Sequence, residues 1–180
     1  MPRLFVAIDP AAPVRDALAR LCHGVPGAKW VAPEQFHLTL RFIGEVEDAL
    51  LDEIAEALGD VEAPAFRLAF DGVGHFPPRG APRVLWAGVN DGAAAGRLHD
   101  RIEARLRQLG VAPDRRGFAP HVTLARLKQA PLARVRDYLA LHGGFATEDF
   151  PVTEFQLYSS HLGAAGAVHR VEASYPLDGA

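Results

Sequence analysis

The chain has 180 residues, of which 49% are apolar and 23% are charged, and its formal net charge is −3. These values lie close to the globular average of about 45–50% apolar and about 25% charged residues, so they exclude a disordered or fibrous protein. The negative charge argues against a protein that coats nucleic acid through a broad basic surface. The single cysteine, Cys22, excludes an intrachain disulfide and a cysteine-based zinc site.

Hydrophobic periodicity predicts a chain that mixes strands and helices. In order, the predicted elements are a strand over residues 4–8, a helix over 14–21, strands over 29–31 and 36–43, a helix over 51–58, strands over 66–70 and 84–89, a helix over 92–109, a strand over 121–127, a helix over 132–141, and strands over 152–161 and 167–173. The proline- and glycine-rich residues 72–82 are predicted to form a loop. Strands that come both singly and in pairs favour an α+β fold over a doubly wound parallel sheet.

The apolar runs are too short for a membrane protein. None approaches the roughly 18 residues that a membrane-spanning helix needs. The N-terminus also meets a charge, at Asp9, too early for a signal peptide. We therefore expect a cytoplasmic location and no membrane partner.

The most informative feature is a His-x-Thr-x tetrapeptide that occurs twice, at residues 37–40 and at residues 121–124. Both copies fall on predicted strands. Because side chains alternate between the two faces of a strand, His37 shares a face with Thr39, and His121 shares a face with Thr123. The apolar residues of each copy point to the other face. A diverged duplication would place the two polar pairs across one groove.

Two histidines can hydrolyse a phosphodiester without a metal ion. One neutral imidazole takes a proton from the attacking water while a second, protonated imidazole gives one to the leaving oxygen, and histidine holds both forms near neutral pH. The hydroxyls of Thr39 and Thr123 can hydrogen-bond the phosphate oxygens, where negative charge grows in the transition state. One such tetrapeptide is a common accident, but two copies with the same pattern favour a catalytic pair.

The residues around both motifs resemble the two-histidine phosphoesterase superfamily and, within it, the RNA 2′,3′-cyclic phosphodiesterases, also described as the 2′-5′ RNA ligase family. The resemblance covers nearly the whole chain and is carried by residues 4–10, 30–46, 76–89 and 118–126. Residues 155–160 and 175–177 are also similar. In contrast, Val168-His169-Arg170 departs from the tyrosine-containing segment usual in the family.

The resemblance implies a bilobal α+β fold. Two lobes related by a pseudo-twofold axis would place antiparallel sheets around a central cleft, with the helices on the outside. Residues 1–180 would form a single domain of this kind, with one His-x-Thr-x motif in each lobe.

The resemblance also implies an enzyme, one that opens a terminal 2′,3′-cyclic phosphate of RNA by hydrolysis and leaves a 2′-phosphate. By analogy, His37 donates a proton to the 3′ oxygen and His121 accepts one from water, although the near symmetry of the motifs leaves this assignment open. No metal and no cofactor is expected. The expected partners are RNA ends that carry a cyclic phosphate, with tRNA fragments as one candidate, and the chain is expected to be a monomer.

Two arginines near the motifs lead to conflicting expectations. Strict alternation places Arg41 on the same face as the polar residues of the first motif, but places Arg126 on the face opposite to His121. The family pattern nevertheless implies that Arg126 contacts the phosphate. We therefore expect the strand to end or bulge near Ala125, so that Arg126 turns inward.

The remaining histidines have no metal-ligand spacing, and we interpret them as structural or solvent-exposed: His23, His75, His99, His142, His161 and His169. Four aromatic residues lie in apolar strand runs, and we interpret them as core or cleft-wall residues rather than as base-stacking surfaces: Trp30, Phe42, Trp86 and Tyr158.

Three alternative functions remain. The same histidines can catalyse 2′-5′ RNA ligation, the reverse type of reaction, so that only the products separate the two activities. A noncatalytic RNA-end-binding module would not need both histidines, and a charge of −3 without a basic run disfavours it. A two-histidine metal site is also disfavoured, because no acidic or sulfur ligand near the motifs completes a coordination set.

Overall fold

The computed structural model describes residues 1–179, so Ala180, the last residue of the predicted domain, lies outside the described residues. In chain order the elements are β1 (Arg3–Ile8), α1 (Ala12–Ala19), β2 (Ala28–Trp30), a short 3-10 helix (Pro33–Gln35), β3 (Leu38–Glu45), α2 (Asp48–Gly59), β4 (Phe66–Leu68), β5 (Phe70–Phe76), β6 (Val84–Val89), α3 (Ala93–Gln108), β7 (His121–Leu127), α4 (Leu132–His142), β8 (Phe150–Val152), β9 (Glu154–Gly163) and β10 (Gly166–Pro176).

Antiparallel pairing organises the strands. Eight of them form one sheet in the order β10-β9-β1-β3-β7-β6-β5, with β2 paired to β7. The two strands that carry the motifs, β3 and β7, meet in the middle of this sheet through one residue pair, Leu38 and Val122. Strands β4 and β8 form a separate two-stranded sheet. The predicted α+β class is confirmed, whereas the arrangement as two pseudo-twofold lobes stays a prediction.

One contiguous hydrophobic cluster fills the interior. Its largest fully buried side chains include Phe36, Phe70 and Phe155. The apolar residues of both motifs belong to the same cluster: Leu38, Leu40, Val122 and Leu124. Because full burial of such a side chain contributes about 1.5–3 kcal/mol, these residues hold each motif strand in one orientation.

The helices bury one face each. Residues Ile54 and Leu58 of α2 and residues Leu98 and Ile102 of α3 are buried, and the two helices contact each other. This spacing of four residues places both side chains of each pair on one face, as the sequence predicts for amphipathic helices. None of the helices within residues 1–179 is long and apolar enough to cross a membrane.

The predicted loop over residues 72–82 is partly wrong, because β5 continues through Phe76. Its residues pair with β6, from Phe70 opposite Val89 to Phe76 opposite Val84. Gly74, one of the glycines that favoured a loop, has a packing role instead, because a Cβ atom at this position would lie 2.3 Å from the indole ring of Trp86. Tertiary packing therefore uses a glycine inside a strand where the local pattern indicates a turn.

Both motif strands contain an irregularity just after the motif threonine. In β3, neighbouring positions of β1 pair with Thr39 and then with Arg41, which leaves Leu40 as an extra residue. In β7, neighbouring positions of β6 pair with Thr123 and then with Ala125. A bulge shifts the alternation of side chains by one residue. The predicted irregularity near Ala125 is therefore present, and it leaves Arg126 exposed on the side of Thr123.

The prediction for Arg41 holds only in part. Arg41 borders the cavity together with His37 and Thr39, but the bulge in β3 leaves it only 4% exposed. Its guanidinium donates hydrogen bonds to the Glu103 carboxylate at 2.5 Å, to the Ala112 carbonyl at 2.5 Å and to the Phe42 carbonyl. Arg41 therefore ties the motif strand to helix α3.

We expect Arg41→Ala to lower the free energy of unfolding by about 3 kcal/mol, measured by urea denaturation. Loss of one partner leaves the other charge buried and unpaired, which costs about 3–5 kcal/mol in fully buried pairs. We expect a loss at the lower end of this range, because the Glu103 side chain is 14% exposed and therefore not fully buried. As a control, Glu45→Ala removes the exposed Arg3–Glu45 pair and should change stability by less than about 1 kcal/mol. Equal effects of the two substitutions would contradict this interpretation of Arg41.

Candidate active site

A cavity of about 660 Å³ brings the predicted site residues together. Both histidines, both threonines and the arginine of the predicted site line it: His37, Thr39, His121, Thr123 and Arg126. A second cavity, of about 260 Å³, is bordered by His23 and His142 and contains none of these residues. The larger cavity is therefore the candidate active site.

His37 lies immediately before β3, and its Nδ1 atom donates a hydrogen bond to Asp9 Oδ1 at 2.8 Å. The Tyr158 hydroxyl donates to both oxygens of the same carboxylate, at 2.8 and 2.7 Å. Burial by itself would raise the pKa of Asp9, but the hydrogen bonds from His37 and Tyr158 hold it below the ordinary value of 3.8. Asp9 is therefore ionised at neutral pH and lies beside the Nδ1 atom of His37.

Three rings enclose the His37 imidazole. Its centroid lies 4.6 Å from that of Tyr158, 5.8 Å from that of Phe5 and 5.4 Å from that of His169. The His37 side chain is 7% exposed, and its Nε2 atom is buried without a hydrogen-bond partner among residues 1–179. Neighbouring rings thus hold the imidazole on several sides, and no side chain or backbone group within residues 1–179 occupies the hydrogen-bonding position of Nε2.

His121 is the first residue of β7 and has a different environment. Its Nδ1 atom donates a hydrogen bond to the backbone carbonyl of Ala119 at 2.6 Å. The centroids of the His121 and Phe76 rings lie 5.0 Å apart in an edge-to-face arrangement, and those of Phe76 and Trp86 lie 5.4 Å apart. Burial lowers the pKa of His121 and outweighs the opposing effect of the hydrogen bond to Ala119. The neutral imidazole is therefore favoured at this position.

The residue five positions after each motif histidine differs between the two motifs. After His121 it is Arg126, and after His37 it is Phe42, which is 45% exposed and also lines the cavity. The Arg116 guanidinium lies 5.6 Å from the centre of the Phe42 ring. Arg116 also donates to both oxygens of Asp114 and thereby lowers the pKa of that carboxyl to about 2. The two bulges thus present the exposed guanidinium of Arg126 beside one motif and the aromatic ring of Phe42 beside the other.

Sequence reasoning missed two residues of this site and underestimated a third. Asp9 has no role in the site predicted from the sequence, although it directly follows β1, the strand that pairs with β3. The interpretation of His169 as structural or solvent-exposed leaves out its position beside His37, where its half-buried ring lines the cavity. Tyr158 was interpreted as a core or cleft-wall residue, yet it also holds the Asp9 carboxylate.

His99 also borders the cavity. Its Nδ1 atom is hydrogen-bonded to the Leu40 carbonyl at 2.7 Å, and its ring stacks on Phe118 with the ring centroids 4.5 Å apart, in agreement with a structural role.

Across residues 1–179, no group of three or more histidine, cysteine, aspartate or glutamate side chains is arranged to hold a metal ion.

A family model described as LigT like Phosphoesterase matches residues 8–86 and 89–169, so that each matched segment contains one of the two motifs. The chain belongs to the LigT-like phosphoesterase family. Among members of this family, the RNA 2′,3′-cyclic phosphodiesterase of Archaeoglobus fulgidus is 34% identical over 93% of this chain and 96% of its own. The RNA 2′,3′-cyclic phosphodiesterase of Aeropyrum pernix is 38% identical over 87% and 89% of the two chains.

The structural comparison agrees with the family assignment. Escherichia coli LigT, solved in complex with 3′-AMP, superposes with a TM-score of 0.81 at 26% identity and covers 99% of both chains. The two chains therefore share one fold over nearly their whole length.

The hydrogen bonds of the two histidines predict their tautomers. Because each Nδ1 atom faces an oxygen that only accepts, both His37 and His121 must carry a proton on Nδ1 when they are neutral. Long-range proton–nitrogen NMR spectra at about pH 8 should therefore show the Nδ1–H tautomer for both residues. His37→Gln and His121→Gln variants assign the two signals. An Nε2–H tautomer at either position would mean that the hydrogen bond to Asp9 or to Ala119 is absent in solution.

Proposed function

We propose that this protein hydrolyses the terminal 2′,3′-cyclic phosphate of RNA to a 2′-phosphate, with His37 as the general acid and His121 as the general base. The observation that carries the proposal is that two equivalent histidines line one cavity but have unlike partners, a carboxylate and a backbone carbonyl. The relatives in Archaeoglobus fulgidus and Aeropyrum pernix, whose names state this activity, support the choice of substrate. The 3′-AMP complex of Escherichia coli LigT supports a nucleotide as ligand.

The environment of His37 suits a proton donor. An ionised carboxylate that accepts a hydrogen bond from one ring nitrogen stabilises the imidazolium form, as in the Ser-His-Asp arrangement. With Asp9 at Nδ1, the proton that can be transferred lies on Nε2 and points away from the carboxylate. His37 would give this proton to the 3′ oxygen as its bond to phosphorus breaks.

The environment of His121 suits a proton acceptor. The Ala119 carbonyl holds the neutral tautomer with Nδ1 protonated, which leaves the lone pair on Nε2 free. Burial opposes a positive charge on this ring before the reaction begins. His121 would take a proton from water, which attacks phosphorus on the side opposite to the 3′ oxygen.

The other cavity residues would bind the phosphate. Thr39 and Thr123 lie two residues after their histidines on the same side of each strand, and both line the cavity. Their hydroxyls can donate to the two nonbridging oxygens as negative charge grows there. Arg126, which the bulge leaves exposed beside Thr123, would supply the positive charge.

A single assay tests the function. The protein is incubated in EDTA with an oligoribonucleotide that ends in a 2′,3′-cyclic phosphate, and we expect a 2′-phosphate product with undiminished turnover, because imidazoles replace metal ions in this chemistry. A ligated 2′-5′ product with a 5′-hydroxyl oligonucleotide would favour the ligase activity. Turnover abolished by EDTA and restored by zinc or manganese would contradict the mechanism.

Substitution of the histidines tests the acid and base. His37→Ala and His121→Ala should each lower kcat by about 10²–10⁴, and the double variant should lose much less than the product of the two effects, because the pair acts as a unit. The pH profile of kcat/KM should be bell-shaped. Its acidic midpoint should lie below the ordinary histidine value of 6.5, since the neutral His121 is favoured and is lost only as pH falls through its lowered pKa. A folded single variant with near-normal turnover would rule out the pair.

Replacement of Asp9 separates the two histidines. Asp9→Asn keeps an acceptor near His37 but removes the charge that stabilises its imidazolium, so kcat should fall by at least about 10-fold. The acidic limb of the pH profile, which belongs to His121, should not move. Asp16→Asn, at an exposed position of helix α1, is the matched control and should leave kcat and the acidic limb unchanged. A shift of the acidic limb in Asp9→Asn would reverse the assignment of acid and base.

A further inference from the structure

Beyond His37, the cavity continues over polar side chains that the proposed mechanism does not use. Arg3 of β1 pairs with Ser160 of β9, and Ser160 pairs with His169 of β10. Directly opposite residues of antiparallel strands point to the same face, and all three residues line the cavity. We call Arg3, Ser160 and His169 the polar row. It begins next to the proton donor, because the rings of His169 and His37 lie 5.4 Å apart.

The covalent structure of the substrate determines which part of an RNA strand reaches the polar row. In an in-line displacement the attacking water and the leaving 3′ oxygen lie on opposite sides of phosphorus. If His37 protonates the 3′ oxygen, carbon 3′ of the ribose lies on the side of His37. Carbon 3′ is bonded to carbon 4′, which bears carbon 5′ and the phosphodiester to the preceding nucleotide. The strand therefore leaves the site on the His37 side.

The polar row has the groups that recognise a phosphodiester. Arg3 is 56% exposed, and one nitrogen of its guanidinium donates a hydrogen bond to Glu45 at 3.1 Å. Within residues 1–179 its other donors have no partner, so they can bind an anion. His169 adds ring nitrogens, one of them buried without a partner among residues 1–179. Burial and the nearby His37 lower the pKa of His169, so Arg3 provides the charge while His169 provides a neutral hydrogen-bonding group.

We propose, on the basis of the function inferred above, that Arg3, Ser160 and His169 form a subsite for the phosphodiester that precedes the terminal cyclic phosphate. The subsite makes the enzyme selective for RNA strands over free mononucleoside 2′,3′-cyclic phosphates. A mononucleoside lacks this second phosphate and gains nothing from the row.

The test compares two substrates, a dinucleotide that ends in a 2′,3′-cyclic phosphate and the corresponding mononucleoside 2′,3′-cyclic phosphate. The measured quantity is the ratio of kcat/KM for the dinucleotide to kcat/KM for the mononucleoside. We expect the wild-type protein to favour the dinucleotide. Arg3→Gln and His169→Phe should each lower the ratio by at least about 10-fold, the effect of losing one hydrogen bond to a charged group. Phenylalanine keeps a ring against Phe5 and His37.

The matched control is Glu45→Gln. This substitution breaks the same ion pair as Arg3→Gln but leaves the guanidinium in place, so the ratio should stay at the wild-type value or rise. A wild-type ratio in both Arg3→Gln and His169→Phe would overturn the proposed subsite. If His169→Phe does not fold, a wild-type ratio in Arg3→Gln alone would overturn it. A wild-type protein that hydrolyses neither substrate would instead refute the proposed function.

Discussion

The direction of each proposed catalytic side chain depends on the burial of the apolar residues that alternate with it. The four apolar residues of the two motifs are at most 2% exposed: Leu38, Leu40, Val122 and Leu124. Turning either motif over would expose two of them, at about 1.5–3 kcal/mol for each side chain, and would bury a histidine and a threonine away from their partners. This constraint holds both polar pairs on the side of the cavity.

Bulges after the two motifs then modify the alternation in the same way but with different outcomes. In β7 the bulge buries Ala125 and presents Arg126 to the cavity. In β3 it buries Arg41, which binds Glu103 of α3, and presents Phe42. One half of the cavity thus has the exposed guanidinium of Arg126, while the other has an aromatic ring and a buried ion pair that joins the motif strand to a helix. Nearly identical motifs therefore line a cavity with chemically distinct walls.

The same asymmetry extends to the histidines. A carboxylate accepts the Nδ1 hydrogen bond of His37 and a backbone carbonyl accepts that of His121, so identical side chains have unlike partners. Burial also favours the neutral ring at His121. Unequal partners are a physical route by which two copies of one motif divide the roles of acid and base. They also give the site a direction, since the leaving oxygen and the rest of the RNA strand would lie on the side of His37, where the cavity continues to His169.

The sequence by itself determined the features that depend on local pattern. The spacing of apolar residues predicted the helices and most strands, and the repeated motif predicted four residues that line one cavity: His37, Thr39, His121 and Thr123. Arg126, which also lines this cavity, was expected there only from the resemblance to the family. The tertiary structure alone decided which side chains meet across strands distant in the chain. The partners of His37 come from β9, from β10 and from the end of β1, so no local pattern joins Asp9, Tyr158 and His169 to it. The alternation of side chains alone could not predict the burial of Arg41, because that burial depends on a bulge in β3. A bulge is set by the pairing between strands, which is a property of the folded chain.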